Sequence, residues 1–500
     1  MQFSFPPRST RGAVMGFTWS QIVMVTCGVL CAVTGVNVLV TGARWTAGSL
    51  FAAAAVLWVL GLLRLRGRRV TEWLPVIGGA LVQRAGRQDR YRGMVFAPGS
   101  VGKHLDMPGQ AAGYRWLSAV AGDGTTPVGL LAHRRERTVT AALLCFGANY
   151  LLADSSVQEQ RLVDWAQVLN VLGTEYADLG LVRWALTTRA VPDTGNRAQR
   201  YLADRAIDTT SPAYQSLAEL TAAAAPSAQR HETLLVCVFD VARMSGEVAD
   251  AGGGDAAVAA VVLDKLGGIE ATVSEAGVAT GGWLTPRAYA GVLRSQWDPA
   301  DQAELDVRGG DGIAGGVEPR LAGPAAVETV GWSALRHDSG YSRTLWVAEM
   351  PRTLVGATWL TGLYTRVTGR RTVTLVAQPI PAALANLAAR REQVSRAGDE
   401  VTKRKLRLVR TAREQEEARS VAQIDREQAA GHTRYRYALL VTVTAPSMEE
   451  LEQDTRTVKR ILARAGCESV VLFGEQDQGF LAGALPLGRG LAPVRGWWSA

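Results

Sequence analysis

Recognisable catalytic signatures are missing from this sequence of 500 residues. A phosphate-binding loop needs a glycine five places before its Gly-Lys pair and a Ser or Thr after it to hold magnesium. Around Gly102-Lys103 those places are taken by Ala97 and His104. Gly310-Asp311-Gly312-Ile313-Ala314-Gly315 spells GxGxxG, but no strand signal precedes it and no helix signal follows, so a dinucleotide site is not indicated. Leu234 to Asp240 ends an apolar run with an acid, like a Walker B strand without a Walker A partner. The five histidines, His104, His133, His231, His337 and His432, are dispersed with no HExxH and no carboxylate at ligand spacing, and no GxSxG elbow occurs. The sequence therefore holds no recognisable nucleotide, zinc-protease or serine-hydrolase motif, and neither a cofactor nor a metal is indicated, while a site assembled from distant residues stays open.

Cysteine is also scarce. Cys27, Cys31, Cys145, Cys237 and Cys467 include no CxxC pair, which argues against a zinc ribbon or a disulfide framework. Two fall in the first apolar run and three in strand-like runs, as reduced, buried thiols of a cytoplasmic protein would.

Charge is absent where it matters most. No charged side chain occurs between Gly12 and Ala43, and after Arg44 a second uncharged run extends from Trp45 to Leu63. About 20 residues cross the hydrocarbon core as a helix, so the pattern predicts a transmembrane hairpin over 17–63, with spans near 18–41 and 45–63. Trp19, Trp45 and Trp58 suit the membrane boundary. The first run is too long for a cleaved signal peptide. Arg8 and Arg11 before the hairpin, and Arg64, Arg66, Arg68 and Arg69 after it, place both termini in the cytoplasm by the positive-inside rule, with residues 1–16 as a cytoplasmic lead. Residues 1–95 hold eleven arginines, no lysine and two acids, while the rest of the chain carries a net charge of −1. The positive charge is therefore juxtamembrane and suits anionic headgroups rather than a nucleic-acid-binding domain. Within the basic segment 64–95, Thr71 to Arg92 reads as an amphipathic elbow, and Arg64, Arg66, Arg68, Arg69, Trp73, Arg84 and Arg87 are the expected membrane-surface contacts.

Beyond 95 the sequence is globular and repeats an order of elements. In 96–300, strands are expected at Arg137–Phe146, Leu181–Val191, Thr233–Val241 and Ile269–Val273. Helices are expected at Val157–Leu172, with a Ser156/Glu159 capping box, at Ala213–Ala224 and at Asp255–Leu266. A Gly-rich linker covers 301–326. In 327–490, strands at Arg343–Met350, Thr372–Gln378, Tyr435–Thr444 and Ser469–Phe473 alternate with helices at Thr353–Thr365 and after the Ser447/Glu450 capping box, leaving a tail at 491–500. Both regions read β-α-β, α, β-α-β, which predicts an α/β fold of two ferredoxin-like subdomains after a two-helix hairpin. The charged insertion 382–430 carries Lys403, Arg404, Lys405, Arg407 and Arg410 followed by acids, the pattern of a solvated helix laced with i,i+4 pairs, although a partner or nucleic acid would also suit it.

With its Trp73-Leu74-Pro75 elbow, the hairpin resembles PrgI-type inner-membrane subunits of conjugative type IV secretion systems. Tyr341-Ser342-Arg343-Thr344-Leu345, Glu349-Met350-Pro351, Arg371-Thr372-Val373 and Tyr435 to Thr444 are similar to the N-terminal domain of conjugative-transfer ATPases. The segment from Gln478 to Gly488 resembles the end of that domain. The resemblance implies a non-enzymatic scaffold in a bacterial inner membrane, with the ATPase motor supplied by a separate P-loop polypeptide. Other membrane subunits and self-association are expected partners, and direct nucleic-acid binding is not. The resemblance places docking around Gln476, Phe480, Leu485 and Pro486. A two-helix anchor before a cytoplasmic domain is also similar to EccE of type VII secretion. A membrane-bound enzyme with an unconventional nucleotide site and a membrane-tethered nucleic-acid-binding protein remain as readings from other classes.

Overall fold

The computed structural model describes residues 2–3, 5, 19–65, 68–86, 90–93, 105–122, 124–147, 150–192, 197–225, 228–308, 315–381, 426 and 431–491. The helical stretch 19–86 and the sheet-bearing remainder form separate compact units.

In the helical unit, α1 (Trp19–Val40) and α2 (Arg44–Leu62) are joined by a turn in which Gly42 adopts φ +90°. After a short antiparallel pairing of Arg64–Leu65 with Arg68–Arg69, α3 runs from Val70 to Ala85 with Pro75 inside it. The expected elbow therefore ends early. Arg90–Arg92 instead forms β1, an edge strand of the second unit, where Arg90 pairs with Glu328 at 2.9 Å.

The sheet-bearing unit is an α/β fold around one antiparallel sheet of 13 strands. A first set comprises β2 (Tyr114–Leu117), β3 (Leu130–His133), β4 (Thr138–Phe146), α4 (Ser155–Gly173) and β5 (Leu181–Pro192). It continues through α5 (Arg197–Arg205), α6 (Pro212–Ala224), β6 (Gln229–Asp240), α7 (Gly254–Glu275), β7 (Ala279–Trp283) and α8 (Pro286–Trp297). After α9 (Gln302–Arg308), a second set begins with β8 (Ala326–Val330), β9 (Ala334–His337), β10 (Gly340–Glu349), α10 (Thr361–Thr365) and β11 (Arg370–Pro379). It closes with β12 (Tyr435–Ala445), α11 (Met448–Arg464), β13 (Glu468–Val471) and α12 (Gln476–Gly483).

The first set has the strand order β7-β4-β6-β5 and the second β11-β12-β10-β13, joined edge to edge through β5 and β11. The order thus reads identically outward from the centre, where Thr187 lies opposite Thr374. Next to them stand Leu234 and Leu440, and beyond these Leu144 and Trp346. Each set is entered by a three-strand meander, β2-β3-β4 or β8-β9-β10, and followed by a helix, α8 or α12.

Strand alternation assigns the two faces. On one face α4 and α7 cover the first set, burying Val168, Leu172, Val262 and Ile269 against Leu143, Leu235 and Cys237. Over the second set α11 buries Leu451, Val458 and Leu462 against Leu345, Val441 and Val443. On the other face a single core spans both sets: Leu131, Leu144, Val236 and Ala185 from the first, Leu335 and Val376 from the second, and Leu293, Trp297, Phe480 and Leu485 from the covering segments.

Three expectations are corrected. Ile269–Val273 is not a strand but the last turns of α7; Val262, Leu266, Ile269 and Val273 recur at helical spacing on its buried face, and the fourth strand of the set is Ala279–Trp283. The helix expected from Thr353 is only Thr361–Thr365, since Val355–Gly356 pairs with Gln2–Phe3. Ser156 lies inside α4, whose N-cap is Asp154, so its capping box is not made, whereas Ser447 Oγ accepts from Glu450 N at 3.2 Å as the sequence predicts. The linker segment 301–326 contains α9 and leads into β8, and the insertion 382–430 lies outside the described residues except for Arg426.

Candidate functional site

Helices α1 and α2 are long and apolar enough to cross a membrane, and of their most apolar windows only 11% and 17% is buried, so their apolar side chains face outward rather than into a protein core. Val23, Leu30, Val33, Val56 and Val59 are all exposed. What holds the pair together is close approach at small residues, the way helices associate where apolar burial from water gives no drive. A Cβ at Gly28 would sit 2.5 Å from Trp58 Nε1, and one at Gly61 would lie 3.4 Å from Met24 Cβ. Gln21 Nε2 donates to the Gly61 carbonyl at 2.7 Å. Gly28→Leu is therefore expected to separate the helices. With cysteines placed at Met24 and Gly61 in a background lacking Cys27 and Cys31, oxidative cross-linking should be efficient in the parent, since disulfides need Cβ atoms about 3.5–4.5 Å apart, and weak in Gly28→Leu. Equal cross-linking would show that Trp58 swings aside instead.

Of the expected membrane contacts, Trp73 is half-buried and Arg84 exposed on α3. Arg66 and Arg87, and the side chains of Arg64, Arg68 and Arg69, lie outside the described residues.

The expected docking segment is internal. Gln476 is 1% exposed; its Oε1 accepts from Thr344 N at 2.8 Å and its Nε2 donates to Leu472 O at 3.0 Å. Phe480 packs on Trp297 and His337, with ring centroids 4.7 and 4.9 Å apart. Leu485 is buried, and the Pro486 carbonyl accepts from Tyr289 OH. These side chains close the shared core, because α12 must cover the face that the sheet leaves open. The α5–α6 excursion between β5 and β6 carries outward apolar groups: Tyr201, Ile207, Leu217 and Leu220 are exposed, and α6 buries none of its residues.

The histidines are not gathered. His337 is fully buried between the Trp297 carbonyl, 2.6 Å from Nδ1, and Ser342 Oγ, 2.7 Å from Nε2; burial lowers its pKa to about 4, so it is neutral. With Nδ1 donating to the carbonyl, Nε2 accepts from Ser342. His133 Nδ1 accepts from Glu136 N at 3.1 Å, His231 lies against Tyr364, His432 is exposed, and His104 is outside the described residues. No group of three or more His, Cys, Asp or Glu is placed to hold a metal among the described residues. Burial raises the Cys145 and Cys467 thiols to about 11 and Cys237 further still, so all three are unreactive at neutral pH. Gly102-Lys103 and the basic run 403–410 fall outside the described residues, as does most of the segment Gly310–Gly315.

A cleft that sequence reading missed, with a volume of about 580 Å³, opens beside α8 and α9 where β5 and β6 approach their shared end. Its polar wall is a chain of ion pairs. Arg189 Nη1 donates to Glu232 Oε2 at 2.8 Å, and Arg230 reaches Glu232 Oε1 at 2.7 Å and Asp306 Oδ1 at 2.8 Å. Behind it Arg370 donates to Ser295 O at 2.7 Å and Gln302 Oε1 at 3.2 Å; burial, then Arg189, lower its pKa to about 9. Leu234, Leu284 and Val292 also line the cleft. The signal available in the sequence was arginine at inward-facing strand positions, Arg189 in β5 and Arg370 in β11, where a soluble core normally takes aliphatic residues.

No protein-family model matches this chain, and no curated protein matches it.

Proposed function

We propose that this protein is a non-enzymatic scaffold of a conjugation-type secretion apparatus, held in a bacterial inner membrane by α1 and α2 with both termini in the cytoplasm, and that it recruits a separate P-loop ATPase. The outward apolar surface of the helix pair carries this reading, because in water that surface would cost roughly 25 cal/mol per Å². The strand order of each set supports a pair of ferredoxin-like subdomains, the architecture that the resemblance to the ATPase N-terminal domain implies. The arginines that flank the hairpin support the orientation. Since the segment around Phe480 is internal, the docking surface is assigned to the α5–α6 excursion, where Tyr201, Ile207, Leu217 and Leu220 are exposed.

The test is affinity capture of the full-length protein in mild detergent, with mass spectrometry of what is retained. Recovery of a conjugation-class ATPase is the expected result, and recovery of a type VII ATPase would move the assignment to an EccE-like component. A solitary protein that binds nucleotide would instead favour an enzyme. Leu217→Asp with Leu220→Asp should reduce ATPase recovery about tenfold or more while leaving thermal unfolding unchanged, since both positions are exposed. Undiminished recovery would remove the excursion from the docking surface.

A further inference from the structure

The first described residues of the chain do not belong with the helices that follow them. Gln2–Phe3 and Phe5 fall in the sheet-bearing unit, which the chain leaves for α1 and α2 and rejoins at Gln88. Gln2 lies opposite Gly356 and Phe3 opposite Val355, in an antiparallel pairing that stands apart from the 13-strand sheet. Val355 and Gly356 sit in the loop between β10 and α10, whose edge offers backbone donors and acceptors to an added strand. Phe5 then meets Trp359 edge to face, with ring centroids 5.3 Å apart and planes at 60°. Trp359 is itself half-buried against the core beneath α11. Pro6 and Pro7 end the extended run, since proline has no N–H to give to a ladder.

We infer that the loop Val355–Trp359 is a docking site for an extended, aromatic-bearing segment, and that Gln2–Phe3 and Phe5 of the same chain fill it, so that one unit fastens both ends of the helical hairpin. Two features select this occupant. The pairing is backbone to backbone, which suits any extended peptide, while Trp359 selects an aromatic ring two places beyond the ladder. A two-residue ladder is too short to hold a free peptide, whereas a segment already tied to the chain loses far less freedom on docking. A chain held by one unit on both sides of the hairpin crosses a bilayer an even number of times, so α1 and α2 span together or not at all. This sidedness owes nothing to the flanking arginines, and the docking itself depends neither on the scaffold assignment nor on a membrane.

The test is oxidative cross-linking of the full-length protein in mild detergent, in the background lacking Cys27 and Cys31, with Gln2→Cys opposite Gly356→Cys. Directly opposed cross-strand residues hold their Cβ atoms about 4.5–5.5 Å apart, close to what a disulfide needs, and a Cβ at Gly356 meets nothing within 4 Å. A disulfide within one copy is expected, identified by mass spectrometry of the linked peptides. Gln2→Cys with Leu354→Cys, exposed but two residues out of register, should cross-link about tenfold more slowly. Phe5→Ser should slow the matched pair about fivefold or more while leaving the thermal unfolding midpoint unchanged, because it removes the ring contact with Trp359 and nothing from the cores. Differently tagged copies mixed before oxidation should not become joined. Equal rates for the matched and shifted pairs, a rate undiminished by Phe5→Ser, or disulfides formed only between copies would each overturn the inference.

Discussion

Arg294→Ala is expected to destabilise the sheet-bearing unit by about 3–5 kcal/mol, the range found when one partner of a buried ionic network is removed. Arg294 projects from α8 and holds three carboxylates at once: Asp298 at 2.8 Å, Asp301 at 2.7 Å and Asp338 at 3.0 Å, with the Gly323 carbonyl at 3.1 Å. Asp338 belongs to the turn between β9 and β10, so a single guanidinium ties a helix of the first set to a strand turn of the second. The Asp338 side chain is 4% exposed, and burial already pushes its carboxyl pKa up despite the amides of Ala325 and Ala326 that donate to it. Without Arg294, Asp338 and Asp298 repel each other across a site with little water. The defect should shrink as the pH is lowered, because a raised carboxyl takes up its proton first in the folded state. Urea unfolding of the variant beside the parent, at neutral and mildly acidic pH, checks both statements. A loss below about 1 kcal/mol, the size of an exposed pair, would mean that the carboxylates find solvent.

Lowering the pH from about 7 to about 4 is expected to remove about 3 kcal/mol of stability through His337 alone. In the unfolded chain its imidazole titrates near 6.5. In the folded state burial, reinforced by Arg370, depresses it to about 4, against the pull of the Trp297 carbonyl and of Asp298. The unfolded state therefore takes up a proton first: stability is complete above about 6.5, falls as the pH drops through the interval, and levels off below the folded value. His133 and His231 are shifted the same way by burial and add to the slope. His337→Gln should flatten the acid limb of the stability curve at some cost at neutral pH. A limb as steep as the parent's would assign the acid sensitivity to other groups.

Much of this fold was legible in the sequence. The uncharged runs gave α1 and α2, and apolar alternation located β4, β5, β6, β10, β11 and β12 to within a few residues. Sequence reading failed where one local pattern served two structures. Ile269 to Val273 looks extended in isolation, and only its phase with Val262 and Leu266 reveals the helix. The meander strands β2, β3, β8 and β9 are four or five residues long and lean on neighbours distant in sequence, so no periodicity announced them. The segment around Phe480 was given a docking role by resemblance alone, and a short helix of mixed composition carries no mark of the core it covers. The cleft escaped because its ion-paired wall draws Arg189 from β5, Arg230 and Glu232 from β6 and Asp306 from α9, groups that meet only in the folded sheet.

The shared core also sets a schedule for synthesis. Leu131, Leu144 and Val236 are made first, yet the groups that seal them, Phe480, Leu481 and Leu485, emerge from the ribosome long after. At roughly 5–20 residues per second, the interval from Trp297 to Leu485 lasts on the order of ten to forty seconds, through which one face of the first set stays open. A nascent chain in that condition is a client for holdase chaperones. Cells short of them should accumulate this protein in insoluble form before any finished molecule loses its fold.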